Sequence, residues 1–253
     1  MVTTIVVNNQ KGGVAKKTTC LSLGACLAEL GYSILLVDLD PQAHLTLSLG
    51  LDPNQLHRTI ADALLGNSSL LSVSRESAVF DLDIVPSNQS LALIDKLLYR
   101  QEGYEFQLRR RLEALNDYYQ IVLIDCPPSV STLTLNALTA AHLLIIPVQC
   151  EYYAAQSLQR IIKLARLVQV KTNSCLTYRL LVTMYDRRNK ICRLILGRMQ
   201  QHLSGVLFKT IIEVDTKLKE SPAFGQPITQ YAPDTRGAQQ YRALARELMS
   251  NGR

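Results

Sequence analysis

Residues 9–19 of this chain combine glycines, lysines and threonines in a spacing suited to phosphate chemistry. Gly12 and Gly13 come shortly before Lys16 and Lys17, and a short apolar run precedes the whole stretch. Glycines let backbone N–H groups approach an anion closely, and a lysine supplies a point charge for phosphate oxygens. We therefore expect a phosphate-binding loop here.

Three aspartates follow apolar runs further along the chain. Asp38 and Asp40 are two residues apart at the end of one run, and Asp125 follows the run IVLI. Carboxylates so placed can hold Mg²⁺ through water and orient an attacking water, as phosphoryl transfer requires. The alternatives are an Asp-Pro turn at Asp40 and a helix cap at Asp125, although the two prolines after Cys126 disfavour the cap.

Strand-like and helix-like segments alternate along most of the chain, and they would position these groups. Apolar runs without alternation predict buried strands at 4–8, 33–37, 82–85, 120–124, 143–148, 180–183 and, more weakly, 207–212. Helical spacing predicts helices at 20–30, 60–65, 89–98, 106–115, 132–140, 154–168, 190–202 and 237–249. This alternation indicates an α/β fold with a doubly wound, mostly parallel sheet flanked by helices, as in P-loop NTPases, in one domain over 1–253. Ligands of such sheets bind at the carboxyl ends of the strands, where the loop and the aspartates fall.

Composition narrows the possible classes of protein. The 253 residues are 47% hydrophobic and 19% charged, which is ordinary for a folded domain. Only 6% are aromatic and Trp is absent, which disfavours a base-stacking surface. The net charge of +6 permits binding to a polyanion. Six cysteines without a C-x-x-C pair indicate free thiols in a reducing cytosol, and the absence of a long apolar run predicts a soluble, cytoplasmic protein.

Several segments together resemble the ParA/Soj branch of the deviant Walker A ATPases, a superfamily that also includes MinD. They are NNQKGGVAKKTT, LLVDLDPQ, LIDCPPSVSTLTLNAL, IIPVQCEYYA, TMYDRR and ESPAFGQPITQYAPDTRGAQQYRALA. The resemblance extends over nearly the whole chain. It implies an ATPase that binds ATP and Mg²⁺ and closes as a homodimer with the nucleotides sandwiched between subunits. It also implies slow hydrolysis, triggered by a partner protein, that moves or spaces a cargo such as a plasmid, a chromosome or a protein body.

The resemblance also implies roles for individual residues. Lys16 would hold the β and γ phosphates, Asp40 would orient the attacking water, and Lys11 would reach the phosphates of the partner subunit, so these three are the catalytic candidates. The metal would lie near Asp38, Asp40 and Asp125, mostly through water. The residues expected at the nucleotide are Lys11, Gly12, Gly13, Val14, Ala15, Lys16, Lys17, Thr18, Met184, Pro233 and Asp234.

Two positions depart from the family pattern. Ala15 replaces a glycine, which is tolerable where φ is negative. Lys17 stands where the motif has the Ser or Thr whose hydroxyl binds Mg²⁺. An alternative register would make Thr18 the metal ligand, but it would place Lys16 at the position of the motif's glycine. We therefore reject this register. Our hypothesis is that Lys17 impairs Mg²⁺ coordination and ATP hydrolysis.

Three functional classes remain open from the sequence. The first is a partition ATPase that binds nonspecific DNA at the nucleoid through Arg187, Arg188, Lys190, Arg193, Lys217 and Lys219. The second is a MinD-like or DNA-independent protein scaffold switched by nucleotide; the ending RALARELMSNGR shows no amphipathic membrane helix, so no membrane contact is expected. The third, an electron carrier like the nitrogenase iron protein, needs paired cluster-ligating cysteines, whose spacing Cys126 and Cys150 do not match.

Overall fold

A computed structural model describes residues 2–66, 68–151 and 154–250. These residues form a seven-stranded sheet in the order β3-β4-β2-β5-β1-β6-β7. The strands are β1 Thr3–Val7, β2 Ile34–Asp38, β3 Arg75–Glu76, β4 Leu82–Val85, β5 Ile121–Asp125, β6 Leu143–Val148 and β7 Thr177–Val182. Every pairing is parallel except that of the two-residue β3 with β4. The predicted α/β class with a mostly parallel sheet is confirmed.

Helices connect the strands. They are α1 Lys16–Glu29, α2 His44–Leu47, α3 Ile60–Leu65, α4 Leu70–Val73, α5 Leu91–Leu98, α6 Gln107–Leu112, α7 Thr132–Ala140, α8 Ala154–Lys171, α9 Lys190–Leu203, α10 Thr216–Glu220, α11 Ile228–Tyr231 and α12 Arg236–Ser250. The helix predicted at 20–30 begins four residues earlier, at Lys16, so the phosphate-loop lysine lies in the first helical turn.

The core lies on both faces of the sheet. Successive residues of β1 point to opposite faces, so Ile5 packs in one apolar cluster and Val6 in the other. The helix α1 lies so close to the sheet that a Cβ added at Gly24 would be 2.9 Å from Leu36 Cδ2. Tight packing of this kind fixes the position of the loop that precedes α1.

The weak strand predicted at 207–212 is wrong. This segment runs beside β7 with only isolated parallel bridges, Leu180 to Leu207 and Tyr185 to Glu213. Between them, the backbone N–H groups of Lys209 and Thr210 donate to the carboxylate of Glu247, each at 2.8 Å. The N–H groups of Phe208 and Ile212 do reach β7, at the carbonyls of Leu180 and Val182, so the N–H of Thr210 is the ladder donor that this side chain of α12 takes.

Across the three ranges that the structure covers, no helix has the length and apolarity needed to cross a membrane. All six cysteines are free thiols and five of them are buried, as the spacing predicted.

Candidate functional site

The loop between β1 and α1 is fixed at both sides by buried hydrogen bonds. Asn9 Nδ2 donates to the carbonyl of Pro147 on β6 at 2.7 Å, and its Oδ1 accepts from the N–H of Lys11 at 3.0 Å. Thr183 Oγ1, just after β7, donates to the carbonyl of Val14 at 3.1 Å. The loop is therefore held across three neighbouring strands at their carboxyl ends.

Two residues of this loop adopt a left-handed backbone. Gly13 has φ of 74°, and Ala15 has φ of 66°. The condition under which an alanine here is free of strain, a negative φ, is therefore not met. For a residue with a Cβ this conformation costs roughly 1–2 kcal/mol. Backbone strain of this size is found mainly where the surrounding structure imposes it, as at binding sites.

The loop leaves room for an anion. A Cβ added at Gly12 or Gly13 would meet nothing within 4 Å. Ala15 precedes the first turn of α1 without a side-chain cap among the described residues, and that turn contains no acidic residue. The first backbone N–H groups of α1 and the positive end of its dipole are thus free to bind phosphate oxygens.

A cavity of about 520 Å³ opens above this helix terminus. Its basic side is formed by the loop with Lys16 and Lys17, and its acidic side includes Asp40 and Asp125. It also has an apolar wall, made by Met184, Ile212, Val214 and Leu218, which is interrupted by the charged side chains of Glu213, Asp215 and Lys219. A volume of this size, lined by both charged and apolar groups, suits a nucleotide.

Lys16 lies between the loop and the carboxylates. Its Nζ donates to the carbonyl of Lys11 at 3.2 Å. Burial lowers the pKa of Lys16, while the charges of Asp125 and Asp40 act in the opposite direction. The ammonium is therefore partly desolvated and directed at the phosphate end of the cavity, where an anion gains most from it.

Asp38 is fully buried at the end of β2. Its Oδ2 accepts from the N–H and the hydroxyl of Thr46, at 2.9 and 2.8 Å, and its Oδ1 accepts from the N–H of Asp40 at 3.1 Å. Burial raises its pKa to about 6, although the hydrogen bonds from Thr46 oppose the shift. Asp38 does not line the cavity; it holds the segment that carries Asp40 and α2.

Asp125 pairs in register with Asp38 on the neighbouring strand β5. Burial, and next the charge of Asp38, raise its pKa well above the ordinary value. Its Oδ1 is buried and finds no hydrogen-bond partner within the described part of the chain. A buried acceptor in this position is open to a ligand or a water.

The carboxylates alone do not form a metal-binding cluster. In residues 2–66, 68–151 and 154–250, no three His, Cys, Asp or Glu side chains come together closely enough to hold an ion. The orphaned Asp125 Oδ1 and the cavity-facing Asp40 could accept from metal-bound waters. Lys17, however, lines the cavity where a metal-binding hydroxyl is expected, and an ammonium repels a cation. The residues fit a nucleotide and do not fit the usual Mg²⁺ site.

Lys11 is held at the edge of the loop by two residues that follow β6. Its Nζ donates to Gln149 Oε1 at 3.2 Å and forms an ion pair with Glu151. Gln149 also donates to the carbonyl of Gly13 at 3.1 Å and to the sulfur of Met184 at 2.8 Å. Sequence reasoning missed both partners, although the polar residues after a buried strand, in the run PVQCE, signalled them.

Of the residues expected at the nucleotide, the last three, Met184, Pro233 and Asp234, are not brought together. Met184, with φ of 51°, lines the cavity. Pro233 and Asp234 are exposed and do not line it; the carbonyl of Pro233 accepts from Arg242 instead, at 2.6 Å. Sequence reasoning missed the other members of the apolar wall, because Ile212 and Val214 lie in an irregular segment and Leu218 lies on a five-residue helix.

The candidate DNA-binding residues fall in two groups. Arg187, Arg188, Lys190 and Arg193 are exposed around the start of α9. Within this group Arg188 binds Asp186 through two nitrogens, at 3.0 and 3.1 Å, and Arg193 donates to the carbonyls of Arg187 and Arg188.

The second group, Lys217 and Lys219, lies on α10, and its two residues have different surroundings. Lys217 forms an ion pair with Glu220 at 2.8 Å. Lys219 is exposed and lines the cavity, so it lies nearer to the nucleotide site than the sequence suggested.

A strand, a glycine-containing loop and an uncapped helix N-terminus beneath a nucleotide-sized cavity define a P-loop nucleotide-binding protein. Comparison with known proteins agrees: a family model described as an AAA domain matches residues 2–178. The chain is 39% identical over 249 residues to the sporulation initiation inhibitor protein Soj of Bacillus subtilis, covering 98% of each chain. It is 34% identical over 252 residues to the chromosome partitioning protein ParA of Caulobacter vibrioides, covering 98% of this chain and 94% of ParA. The chain belongs to the ParA/Soj branch of the ParA/MinD superfamily.

Solved structures show the same fold. A Mycobacterium smegmatis protein described as cobyrinic acid a,c-diamide synthase, with bound ADP and magnesium, is 35% identical with a TM-score of 0.86, covering 100% of this chain and 97% of its own. MinD from Pyrococcus horikoshii, complexed with Mg-ADP, is 22% identical with a TM-score of 0.80, covering 100% of this chain and 98% of its own. The second likeness shows the fold alone.

Proposed function

We propose that this chain, as one domain, is an ATP-switched partition or positioning ATPase. The observation that carries the proposal is the cavity in which Lys16 and the α1 N-terminus face Asp40 and Asp125. The names of its relatives, Soj and chromosome partitioning protein ParA, support the same function.

Within the cavity we assign the phosphates to residues 11–18 and the base to the wall that contains Met184. Lys16 holds the β and γ phosphates, and Asp40 orients the water that attacks the β–γ anhydride. Asp125 is the carboxylate best placed to accept from metal-bound water. Because Lys17 disfavours that metal, we expect hydrolysis in this chain to be slow.

Dimerisation is the proposed output of ATP binding. Lys11 lies at the edge of the loop and is partly exposed, with 31% of its side chain accessible. A lysine there can leave Glu151 and reach the phosphates of a second subunit. In that arrangement it supplies transition-state charge in trans, as an arginine finger does.

The closed dimer is proposed to bind nonspecific DNA in the cytoplasm, at the nucleoid. Arg187, Lys190 and Arg193 have exposed side chains near the start of α9, and two subunits would double this basic surface. Phosphate contacts of that kind give affinity that depends on salt but not on sequence. A partner protein that stimulates turnover would then release the dimer.

DNA binding is tested by titrating a fluorescent random-sequence duplex with the full chain at low salt, with ATP, with ADP and without nucleotide. We expect binding with ATP that weakens as salt rises. Replacing both Arg187 and Lys190 with Ala should reduce the slope of log affinity against log salt, by about 0.9 for each DNA phosphate that the variant no longer neutralises. Replacing both Lys96 and Arg100 with Ala, at exposed positions in and just after α5, is the charge-matched control.

The second candidate is a DNA-independent scaffold switched by nucleotide. It is favoured by the ion pairs of Arg188 and Lys217, which reduce the charge available to DNA. An ATP-dependent dimer that leaves the duplex unbound at low salt would support this scaffold over the DNA-binding ATPase.

A further inference from the structure

Lys17 brings a second ammonium to the phosphate end of the cavity. It is the second residue of α1, it is half-buried, and it lines the cavity beside Lys16. It is also close enough to Asp125 that its charge opposes the rise in the pKa of that carboxyl, which burial causes first and Asp38 next. Lys17 therefore faces both the phosphate loop and the acidic side.

The positive charge of Lys17 is not balanced inside the protein. In residues 2–66, 68–151 and 154–250, its ammonium takes part in none of the ion pairs and donates no hydrogen bond. By contrast, Lys16 donates to the Lys11 carbonyl, and Lys11 is paired with Glu151. An unpaired ammonium in the first turn of a helix, next to another lysine, is destabilising until an anion arrives.

The acidic side offers a divalent cation no direct protein ligand at position 17, which has an ammonium in place of a hydroxyl. Asp40 and Asp125 could contact such a cation only through its waters, since the described residues hold no three-carboxylate cluster. A lysine ammonium has three N–H donors and a full charge, so it can itself bind phosphate oxygens. A cation bound to the same oxygens would meet its repulsion.

We propose that the Lys17 ammonium replaces Mg²⁺ as the neutralising charge on the ATP phosphates, so that this chain binds ATP without a divalent cation. The proposal rests on the proposed function, because it requires that the cavity takes ATP. It explains why a lysine stands at the metal-ligand position in a cavity that otherwise keeps every feature of a phosphate site.

The test is calorimetric titration of ATP into the full chain, once in EDTA and once in Mg²⁺. We expect the two dissociation constants to agree within about twofold. Lys17→Thr restores the hydroxyl that binds a metal. This variant should bind ATP at least about tenfold more tightly in Mg²⁺ than in EDTA, because it exchanges one charge-assisted contact for a metal.

Two further variants separate charge from shape. Lys17→Met keeps the length without the charge, and it should lose about tenfold in affinity in EDTA. Lys171→Met makes the same change on the exposed end of α8 and should behave as the unchanged protein does.

The outcomes are distinct. Unchanged protein that binds ATP only with Mg²⁺ would overturn the inference and leave the proposed function standing. A Lys17→Thr variant that remains independent of Mg²⁺ would also overturn it, because Lys17 would not be the cause. Absence of ATP binding in both buffers would reject the proposed function together with the inference.

Discussion

Lys11 and Glu151 form an ion pair across the edge of the nucleotide cavity, although they are 140 residues apart in the sequence. The pair is partly exposed, with 31% of the Lys11 side chain and 53% of the Glu151 side chain accessible. This ion pair keeps Lys11 on its own subunit, whereas the proposed dimer needs Lys11 at the phosphates of the other subunit. If Lys11 reaches the second subunit as proposed, dimerisation breaks an ion pair that the single chain forms.

Glu151→Gln should make ATP-dependent dimerisation easier. An exposed ion pair contributes about 0.2–1 kcal/mol, so the ATP concentration at half dimerisation should fall by no more than about fivefold. Analytical ultracentrifugation across an ATP series measures this shift. Glu102→Gln, in an exposed turn after α5, is the charge-matched control. A shift to higher ATP concentration for Glu151→Gln would show that Glu151 supports the dimer instead.

Thr46→Val should destabilise the fold. The Thr46 hydroxyl donates to the buried carboxylate of Asp38 and accepts from the N–H of Ser87 at 3.0 Å. Removing the hydroxyl leaves the buried N–H of Ser87 without this acceptor and Asp38 with one donor fewer, at a cost of roughly 1–3 kcal/mol in the free energy of unfolding. Urea denaturation measures the loss. Thr46→Ser keeps the hydroxyl, so equal losses for Ser and Val would assign the effect to packing.

Ala15→Gly should stabilise the protein. The left-handed backbone at Ala15 costs roughly 1–2 kcal/mol, of which glycine returns about half after its greater loss of entropy on folding. Ala92→Gly, on an exposed position of α5, should instead destabilise by about 1 kcal/mol. Thermal unfolding of the two variants is the measurement. A lower melting temperature for Ala15→Gly would show that the loop is not strained at this residue.

His142 should make stability depend on pH. Its Nδ1 accepts from the N–H of Thr4 at 3.0 Å, and burial and then the charge of Arg109 lower its pKa below the ordinary 6.5. A lowered pKa favours the neutral form in the folded state. Stability from His142 is therefore present above about pH 6.5 and is lost as pH falls through the lower folded value.

The variant His142→Gln can still accept from Thr4 but does not titrate. Its free energy of unfolding should fall less than that of the unchanged protein between neutral and acidic pH, as measured with urea. Parallel pH profiles for the two proteins would remove His142 as the cause.

The sheet could be predicted largely because its strands are continuous apolar runs covered on both faces, such as 120–124 and 143–148. The segment 207–212 has the same pattern, yet its pairing with β7 is interrupted at Thr210, whose N–H donates to Glu247, far along the chain. The short helices α2, α4, α10 and α11 were not predicted, since four or five residues carry too little periodicity.

The phosphate side of the site could also be read from the sequence, because its residues are contiguous. Its other parts depend on contacts between distant segments. Gln149 reaches Lys11 across 138 residues of sequence, and the apolar wall brings Val214 from an irregular region and Leu218 from the short helix α10. The left-handed backbone of Ala15 could not be predicted either, since most alanines avoid it.

Binding of ATP to Lys16→Gln tests the central claim most directly. Lys16 lines the cavity and is partly buried, and in the proposed complex it pairs with the phosphates. Truncating one member of such a charge pair typically costs 2–5 kcal/mol, or roughly thirtyfold or more in affinity. We predict that the unchanged chain binds ATP and that Lys16→Gln, while folding as stably, binds it at least about thirtyfold more weakly. Equal affinity for the two proteins would contradict the assignment of this cavity to ATP.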